Sequence, residues 1–426
     1  MRILIGSINA WHNSNAIGNT LSNWFDSQEN MVFSNLYSRS EMPSNNVCTD
    51  YFRITETQML KNLFSKEKNG YHFNYDARKE NNTTPNTAKH ENSIINIIKK
   101  YNLSPVYALS QSLWNSNLWI NNKLKEYISN YSPDIFFSFA EKPIILRKRI
   151  ETIKSLCENC KVVLFVADDV YTVFKQSTLP RKKQLVYDFD WCIANADLVY
   201  GASDELCKEY KSIFSRDFKL LCKGCDVKDV KEKNNEVINL VYAGNLFYGR
   251  DKTLCELVNA IEKVNSLGNK KMKLEIYTAS PVSEESSKIL NTDGASKIVG
   301  PKPYSEVVEK MHNADIVLHV ESFEEDEIKK VRLSYSTKII DCLQSGSCPL
   351  AIGPDGIASI NYFKKVDGAI TVTDTRCLTD ILADLVKSPS KIYDNALLCN
   401  AYAKKYHDIN TVRERINSDF IDLLKD

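Results

Sequence analysis

The sequence predicts an α/β protein of two domains, each built on a parallel sheet. Short apolar runs alternate with segments of helical period along most of the 426 residues, which is the order expected of βα units. The runs of the first series are RILIGS (2–7), MVFSNLY (31–37), DIFFSFA (134–140), KVVLFVA (161–167), DLVYGAS (197–203) and FKLLCK (218–223). Those of the second series are INLVYAG (238–244), KLEIYTA (273–279), KIVG (297–300), DIVLHVE (315–321) and CPLAIG (348–353). A chain of this length is also too long for one ordinary core.

The two series define the domain boundaries. A first Rossmann-like domain is expected over 1–225, and a second over 238–408, with a central cleft between them. The segment 226–237 is charged and has no apolar periodicity, so it is predicted to be the linker. A polar stretch near 62–100, rich in Asn and Lys, is predicted to be an insertion. The last segment, 409–426, has helical period and could pack back on the first domain.

Composition is typical of a soluble globular protein and excludes nucleic acid as a partner. Hydrophobic residues make up 43% of the chain, charged residues 26%, and the formal net charge is +1, so no excess positive charge attracts a phosphate backbone. The opening MRILIGSINAWHNSN becomes polar too soon for a signal peptide. No apolar run reaches the length of about 18 residues that spans a membrane. We therefore expect a cytoplasmic protein whose twelve cysteines are reduced.

Metal and cofactor sites are not expected. The Cys-x-x-Cys pairs at 157–160 and 222–225 lie next to strands at opposite edges of the predicted first sheet, too far apart for one zinc ion. The segment 188–190 (DFD) matches an Asp-x-Asp metal motif, but it lies in a helix-like stretch and is interpreted as coincidence. Neither domain carries a G-x-G-x-x-G turn or a Walker lysine loop, which argues against a dehydrogenase or a P-loop enzyme.

The segment STKIIDCLQSG, which follows the strand DIVLHVE, is the candidate ligand site. Lys338 lies in the first turn of a predicted helix, although a helix N-terminus already holds about half a positive charge. Ser334 or Ser336 can cap the helix, and the amides of Ser336 and Thr337 would form an anion site. Asp341 shares the helix face of Lys338. This set suits a nucleotide diphosphate, with lysine and amides on phosphate and carboxylate on ribose hydroxyls. The alternative is a surface Lys–Asp pair.

Four segments resemble the GT-B glycosyltransferases, specifically the retaining family-four group. The segment 341–352 (DCLQSGSCPLAI) looks like the end of that group's acidic motif, and 242–254 (YAGNLFYGRDKTL) resembles the opening of its donor domain. The segment 299–320 resembles its base-contacting loop and the following helix and strand. The segment 194–210 resembles the end of its acceptor domain.

This resemblance implies transfer of a sugar from a nucleotide-diphosphate sugar to a hydroxyl acceptor, with retention of configuration and without a metal. A UDP-sugar is favoured over a GDP-sugar as the donor. The departing phosphate would take the acceptor's proton. Bacterial relatives build surface polysaccharide, so the acceptor would be a glycan or a lipid-linked sugar. That would bring a cytoplasmic enzyme to the inner membrane face, where the basic segments 147–149 and 181–183 could touch anionic lipid. The alternative for these segments is a solvated helix face.

The resemblance also implies roles for individual residues. Lys338 would face the donor diphosphate, with Arg250 on its other side and Gly244 allowing close approach of the backbone. The full set expected at the donor is Gly18, Asn19, Gly244, Asn245, Arg250, Pro301, Lys302, Ser336, Thr337, Lys338 and Asp341. Asp168 and Asp169 follow a strand of the first domain and could bind or polarise the acceptor. Their alternative is helix capping. The residues expected to act in catalysis are Asp168, Asp169, Arg250 and Lys338.

The chain departs from the family's motif of two Glu residues. Leu333 occupies the first acidic position and Asp341 the second. Glu321, Glu324 or Arg332 could substitute in space. The loss permits a second interpretation, a degenerate GT-B protein that binds a nucleotide sugar or serves as a partner subunit. A third, a GT-B nucleotide-sugar epimerase, is disfavoured because the chain has six His and no identifiable pair of them in the cleft.

Overall fold

The structure is a computed structural model, which describes residues 1–76, 104–178, 181–233, 235–268 and 271–425. It divides into two compact units. Met1–Leu221 with Arg413–Asp426 form the first domain, and Cys222–Val412 form the second. The predicted insertion at 62–100 lies outside the described residues from 77 onward.

The first domain is built on an eight-stranded sheet in the order β4-β3-β2-β1-β5-β6-β7-β8. Its strands are β1 Arg2–Gly6, β2 Val32–Tyr37, β3 Asp50–Arg53, β4 Tyr71–Asn74, β5 Ile135–Phe139, β6 Lys161–Val166, β7 Leu198–Gly201 and β8 Lys219–Leu220. All pairs are parallel except β3 with β4. Strand β4 lies within the range predicted as an insertion, so the start of that range extends the sheet edge.

Helices cover both faces of this sheet, which is why its central strands are continuous apolar runs. They are α1 Ala16–Phe25, α2 Glu56–Lys61, α3 Ser104–Asn115, α4 Asn122–Tyr131, α5 Pro143–Leu156, α6 Val170–Gln176, α7 Lys182–Ala194 and α8 Asp204–Phe214. Trp24 and Phe25 of α1 pack on Phe137 of β5. Phe420 of the C-terminal segment joins that cluster, with its ring 6.3 Å from Phe25.

The second domain is a six-stranded parallel sheet in the order β11-β10-β9-β12-β13-β14. Its strands are β9 Val237–Ala243, β10 Lys271–Tyr277, β11 Ser296–Ile298, β12 Ile316–Val320, β13 Cys348–Ile352 and β14 Ile370–Val372. Its helices are α9 Arg250–Leu267, α10 Glu284–Leu290, α11 Tyr304–Asn313, α12 Glu325–Val331, α13 Lys338–Gln344, α14 Ala358–Phe363, α15 Leu378–Lys387 and α16 Ser390–His407. Helix α17, Ile409–Leu423, begins in this domain and continues into the first.

The predicted α/β class with two Rossmann-like sheets is confirmed. Every predicted apolar run overlaps a strand, whereas β3, β4 and β14 lie outside those runs. None of the twelve cysteines forms a disulfide. The Asp-x-Asp segment 188–190 lies within helix α7, where buried Asp188 pairs with Arg147 at 2.8 Å. Among the described residues no helix combines the length and apolarity needed to cross a bilayer.

Candidate functional site

The site of the second domain lies where β9 and β12 end. After β9 the chain passes through Gly244 and an exposed loop, and helix α9 begins at Arg250. A Cβ on Gly244 would overlap the Lys338 ammonium, so glycine is what lets this lysine lie against the strand end. Two residues far apart in sequence are thereby placed in contact, as expected for a ligand site at the carboxyl ends of parallel strands.

Lys338 is held by an aromatic side chain of the sheet. Its Nζ donates to the Tyr242 hydroxyl at 3.0 Å and lies 4.9 Å from the centre of the Tyr242 ring. Burial, together with the nearby Arg250 guanidinium, lowers the pKa of Lys338 to about 8. No salt bridge of Lys338 is found within the described ranges, so this cation is stabilised only by a neutral hydroxyl and by more distant carboxylates.

Arg250, in contrast, has an internal counter-ion. It is 7% exposed, and its Nε and Nη2 both donate to Glu321 Oε2, at 3.1 and 2.9 Å. Its Nη1 donates to Asn245 Oδ1 at 2.7 Å. Glu321 is itself 2% exposed and follows directly on β12. The predicted phosphate ligand Arg250 is therefore oriented by a carboxylate from the neighbouring strand.

Glu321 also lies beside a buried histidine. His319 Nε2 is 3.3 Å from Glu321 Oε1, and in the part of the chain that the structure describes neither ring nitrogen has a partner with hydrogen-bond geometry. Burial lowers the pKa of His319, so the ring is neutral at pH 7. Burial alone would raise the pKa of Glu321, but His319 and Arg250 outweigh it and hold that pKa below its usual range. Of this Glu–His pair the sequence suggested only Glu321, as one of three residues that could replace the missing acidic residue in space. His319 gave no sequence signal beyond being a polar residue in an apolar strand.

Asp341 lies on the same helix as Lys338 and contacts a different loop. Its Oδ1 accepts from the Tyr304 hydroxyl at 2.9 Å. Burial raises the pKa of the Asp341 carboxyl, against the effect of Tyr304, Lys223 and Lys338. Tyr304 is 62% exposed and starts helix α11 just after Pro301 and Lys302, which are exposed as well. The structure thus brings Asp341 and this loop together.

The start of helix α13 differs from the expectation. The N-cap residue is Thr337, with helical backbone angles and no side-chain cap, so neither Ser334 nor Ser336 caps the helix. The first turn is tightened by bonds from Ile339 N to Ser336 O and from Ile340 N to Thr337 O. The helix has only seven residues, so its dipole is a weak basis for an anion site, and the argument for one rests on the cations.

The position that the family resemblance gives to an acidic residue is part of the core. Leu333 is 3% exposed. Glu321 instead supplies a carboxylate at the end of β12, but that carboxylate is paired with Arg250. Of the three residues that could substitute for the missing acidic residue in space, Glu321 therefore has a carboxylate that is already paired.

In the first domain the structure favours the structural interpretation of Asp169. Its Oδ1 accepts from Thr172 N at 3.2 Å, which caps helix α6, and from the Tyr210 hydroxyl at 3.0 Å. Asp168 is exposed at the end of β6. The two adjacent carboxylates thus differ, because one is engaged in capping and the other faces solvent.

Gly18 and Asn19 lie in the first turns of α1, after β1. Asn15 caps this helix by accepting from Gly18 N at 2.7 Å. A Cβ on Gly18 would overlap the backbone of His12, so the glycine is explained by close packing of the loop. This packing is a structural reason for Gly18 that needs no ligand.

No family model matches the sequence, and no curated protein does. Solved structures do match its fold. HepE from Anabaena in complex with UDP has a TM-score of 0.64, with 99% of this chain and 100% of that chain covered at 11% identity. HepE with UDP-glucose has a TM-score of 0.60 at the same coverage and identity. Sucrose-phosphate synthase from Thermosynechococcus elongatus has a TM-score of 0.62, with 100% of this chain and 99% of that chain covered at 10% identity. These structures are GT-B glycosyltransferases. The chain has the GT-B fold. At this identity the likeness establishes the fold, and the residues must carry any argument about activity.

Proposed function

We propose that this chain is a glycosyltransferase that moves a sugar from a UDP-sugar to a hydroxyl of a glycan or lipid-linked acceptor, with retention of configuration. The observation that carries the proposal is the pair of cations, Lys338 and Arg250, placed around Gly244 where two strands end. Lys338 is partly buried and has no paired carboxylate in the described part of the chain, an arrangement that is costly unless the lysine serves a ligand. The UDP and UDP-glucose held by HepE, which has this fold, favour UDP among the nucleotides.

In this proposal the cations stabilise the leaving group. Cleavage of the bond between sugar and diphosphate leaves negative charge on the phosphate oxygens, and a fixed positive charge lowers the energy of that state. Lys338 supplies the charge, and Gly244 allows the phosphates to approach the backbone. Glu321 and Asn245 hold the Arg250 guanidinium in one orientation. A departing phosphate that takes the acceptor's proton makes a separate protein base unnecessary.

The remaining predicted residues would bind the nucleoside. Asp341 is placed to accept hydrogen bonds from ribose hydroxyls, and Tyr304 orients it from the base-contacting loop. That loop supplies Pro301 and Lys302. Ser336 and Thr337 precede Lys338 and would offer their amides to the phosphates. The proposed division is thus phosphate at Lys338 and Arg250, and nucleoside at Asp341.

Calorimetric titration with UDP, GDP, CMP and TDP tests the donor site directly. We expect UDP to bind wild type, and Lys338→Ala and Asp341→Ala to weaken that binding by about tenfold or more, as expected for loss of a hydrogen bond to a charged group. Lys391→Ala is the matched control, because Lys391 is another lysine of the second domain and pairs with Asp384, away from the site. Equal binding by all variants, or no binding by any nucleotide, would contradict the assignment.

The second candidate is a GT-B protein that binds a nucleotide sugar without transferring the sugar. The observation that favours it is buried Leu333 at the expected acidic position. Release of UDP from UDP-glucose, followed with and without sugar acceptors, separates the two. UDP binding with no turnover above the uncatalysed rate would support the binding protein.

A lipid-linked acceptor would bring the enzyme to the inner membrane face. Of the two basic segments, 147–149 is poorly suited to touch lipid, because Arg149 is 4% exposed and Arg147 pairs with Asp188. The three residues 181–183 are exposed. Flotation with anionic vesicles should therefore depend on 181–183, and absence of binding at low salt would remove membrane contact from the proposal.

A further inference from the structure

A tyrosine of the second sheet connects the two cations of the site. Tyr242 lies next to the last residue of β9 and is fully buried. Its hydroxyl accepts from Lys338 Nζ at 3.0 Å and donates to the backbone oxygen of Asn245 at 2.6 Å. Asn245 in turn accepts from Arg250 Nη1 through its side-chain oxygen, at 2.7 Å. A series of three hydrogen bonds therefore joins Lys338 to Arg250.

The direction of each bond to the Tyr242 hydroxyl is fixed by its partner. A backbone oxygen can only accept, so the single phenolic proton points to Asn245. An ammonium can only donate, so Lys338 meets a lone pair of the phenolic oxygen. Burial raises the pKa of Tyr242, which keeps the phenolic proton in place. The hydroxyl therefore offers Lys338 an acceptor of fixed position without adding a negative charge to the site.

The hydrophobic core explains the ring of Tyr242 but not its hydroxyl. The ring packs in the same cluster as Leu240 and Leu254, where a phenylalanine would serve equally well. A buried hydroxyl costs free energy unless it is hydrogen-bonded. In the described part of the chain its two partners, Lys338 and the backbone of Asn245, both belong to the candidate site. The hydroxyl is therefore a feature of the site.

The loop that carries Asn245 is anchored to the sheet. The next residue, Leu246, is 4% exposed, and its backbone N–H donates to Ser280 Oγ at 3.0 Å. Asn245 is thus held by Tyr242 and by the burial of its neighbour. Because the backbone oxygen of Asn245 has a fixed place, so has the hydroxyl that donates to it, and so has the ammonium that donates to the hydroxyl.

No other group around Lys338 replaces this hydroxyl. The titratable and charged groups that face the lysine are Arg250, Glu321, Asp341, Cys342 and His319. Arg250 disfavours the charged form of the lysine, whereas Glu321 favours it. Within the described ranges none of these groups accepts a hydrogen bond from the ammonium, so Tyr242 is its one direct acceptor there.

We propose that Tyr242 is a positioning residue of the phosphate site, which keeps the Lys338 ammonium charged and, through Asn245, sets its place relative to Arg250. The inference rests on the proposed function, because it gives Tyr242 a task in binding the diphosphate. Donors whose separation is set before the ligand arrives lose less freedom when it binds. Tyr242 thereby raises diphosphate affinity by acting through Lys338.

Tyr242→Phe tests the proposal, since it removes the hydroxyl and keeps the ring. The lost hydrogen bond favours the charged lysine, so the pKa of Lys338, about 8 in wild type, should fall by about 1. At pH 8 the charged fraction then drops from about one half to about one tenth, and UDP affinity drops about fivefold. At pH 6 the lysine is charged in both proteins, so calorimetry should give equal affinities. Ionisation of UDP itself affects both proteins alike.

Two further variants separate this effect from general damage. Tyr200→Phe makes the same change at a buried tyrosine of the first domain, whose hydroxyl donates to Asp419 at 2.7 Å, and should leave UDP binding unchanged. Asn245→Ala removes the contact with Arg250 but keeps the backbone oxygen that Tyr242 uses. Its UDP binding should keep the pH midpoint of wild type. Thermal unfolding verifies that each variant is folded.

A second measurement needs no nucleotide. NMR of the free protein with isotope-labelled lysine follows the titration of each lysine, and the signal that Lys338→Ala lacks belongs to Lys338. An unchanged midpoint in Tyr242→Phe would overturn the proposal, as would UDP affinity that this variant lowers equally at pH 6 and pH 8. Absence of nucleotide binding by wild type would refute the proposed function instead, and the NMR titration would still decide whether Tyr242 keeps Lys338 charged.

Discussion

The partly buried ammonium of Lys338 predicts that UDP binding depends on pH between 7 and 9. Its pKa is lowered to about 8 by burial and by Arg250, while Glu321, Cys342 and Asp341 act in the opposite direction. Burial raises the pKa of Tyr242 and of Cys342, so both stay protonated, and His319 is already neutral because its pKa is lowered.

The size of the effect follows from that pKa. With a pKa of about 8, the free protein holds about nine-tenths of Lys338 protonated at pH 7 and about one-tenth at pH 9. If only the charged lysine binds diphosphate, UDP affinity falls about tenfold over this range, or about 1.4 kcal/mol. The direction of this pH dependence follows from linkage. Because bound phosphate raises the pKa of the lysine, UDP binding takes up protons and weakens as the pH rises.

Calorimetry at pH 7, 8 and 9, in buffers of different ionisation enthalpy, measures affinity and proton uptake together. At pH 8 we expect uptake of about half a proton per UDP bound. The control is Lys338→Ala, which should bind UDP more weakly and with little pH dependence, because phosphate groups are mostly ionised above pH 7. Wild-type affinity that is constant from pH 7 to 9 without proton uptake would refute a role for this lysine at the phosphates.

Three further predictions concern stability, measured as the free energy of unfolding in urea. Glu321→Ala leaves the Arg250 charge buried and unpaired, and should cost about 3 to 5 kcal/mol, whereas a cost below 1 kcal/mol would mean that the pair is not formed. Gly249→Ala should lower the free energy of unfolding more than Gly294→Ala, since both glycines have positive φ but only at Gly249 would a Cβ meet side chains. Equal losses would mean that the contact with these side chains adds nothing to the cost. Asp169→Ala should lose about 1 to 2 kcal/mol with the cap yet keep UDP affinity, and weaker UDP binding would contradict a purely structural role.

Much of the fold was predictable because local patterns determine it. The central strands of both sheets are continuous apolar runs, as required of strands covered on both faces, whereas the charged segment 226–237, predicted as the linker, lies just inside the second unit. The strands that were missed, β3, β4 and β14, lie at or near sheet edges, have three or four residues each, and include polar side chains. An edge strand needs less apolar sequence, so its pattern resembles that of a loop.

The candidate site was predictable only as a set of separate residues. Lys338, Gly244 and Arg250 were selected from motifs, and the structure places them together. The contact between Arg250 and Glu321 joins residues 71 positions apart, so no helical or strand period could predict it. Asp341 and Tyr304, 37 positions apart, are a second example. Residue type suggested the chemistry, while tertiary packing decided which partner each charge has.

That choice of partner gives the two cations unequal roles. Arg250 and Glu321 form a neutral buried pair, and His319 beside them is uncharged at pH 7. The charge left without an ion-pair partner is therefore that of Lys338. A diphosphate approaching the strand ends would meet this charge first, whereas Arg250 would offer it hydrogen bonds of fixed direction with its charge already balanced. Lys338 should accordingly determine nucleotide affinity, and Arg250 should determine the geometry in which the phosphates are held.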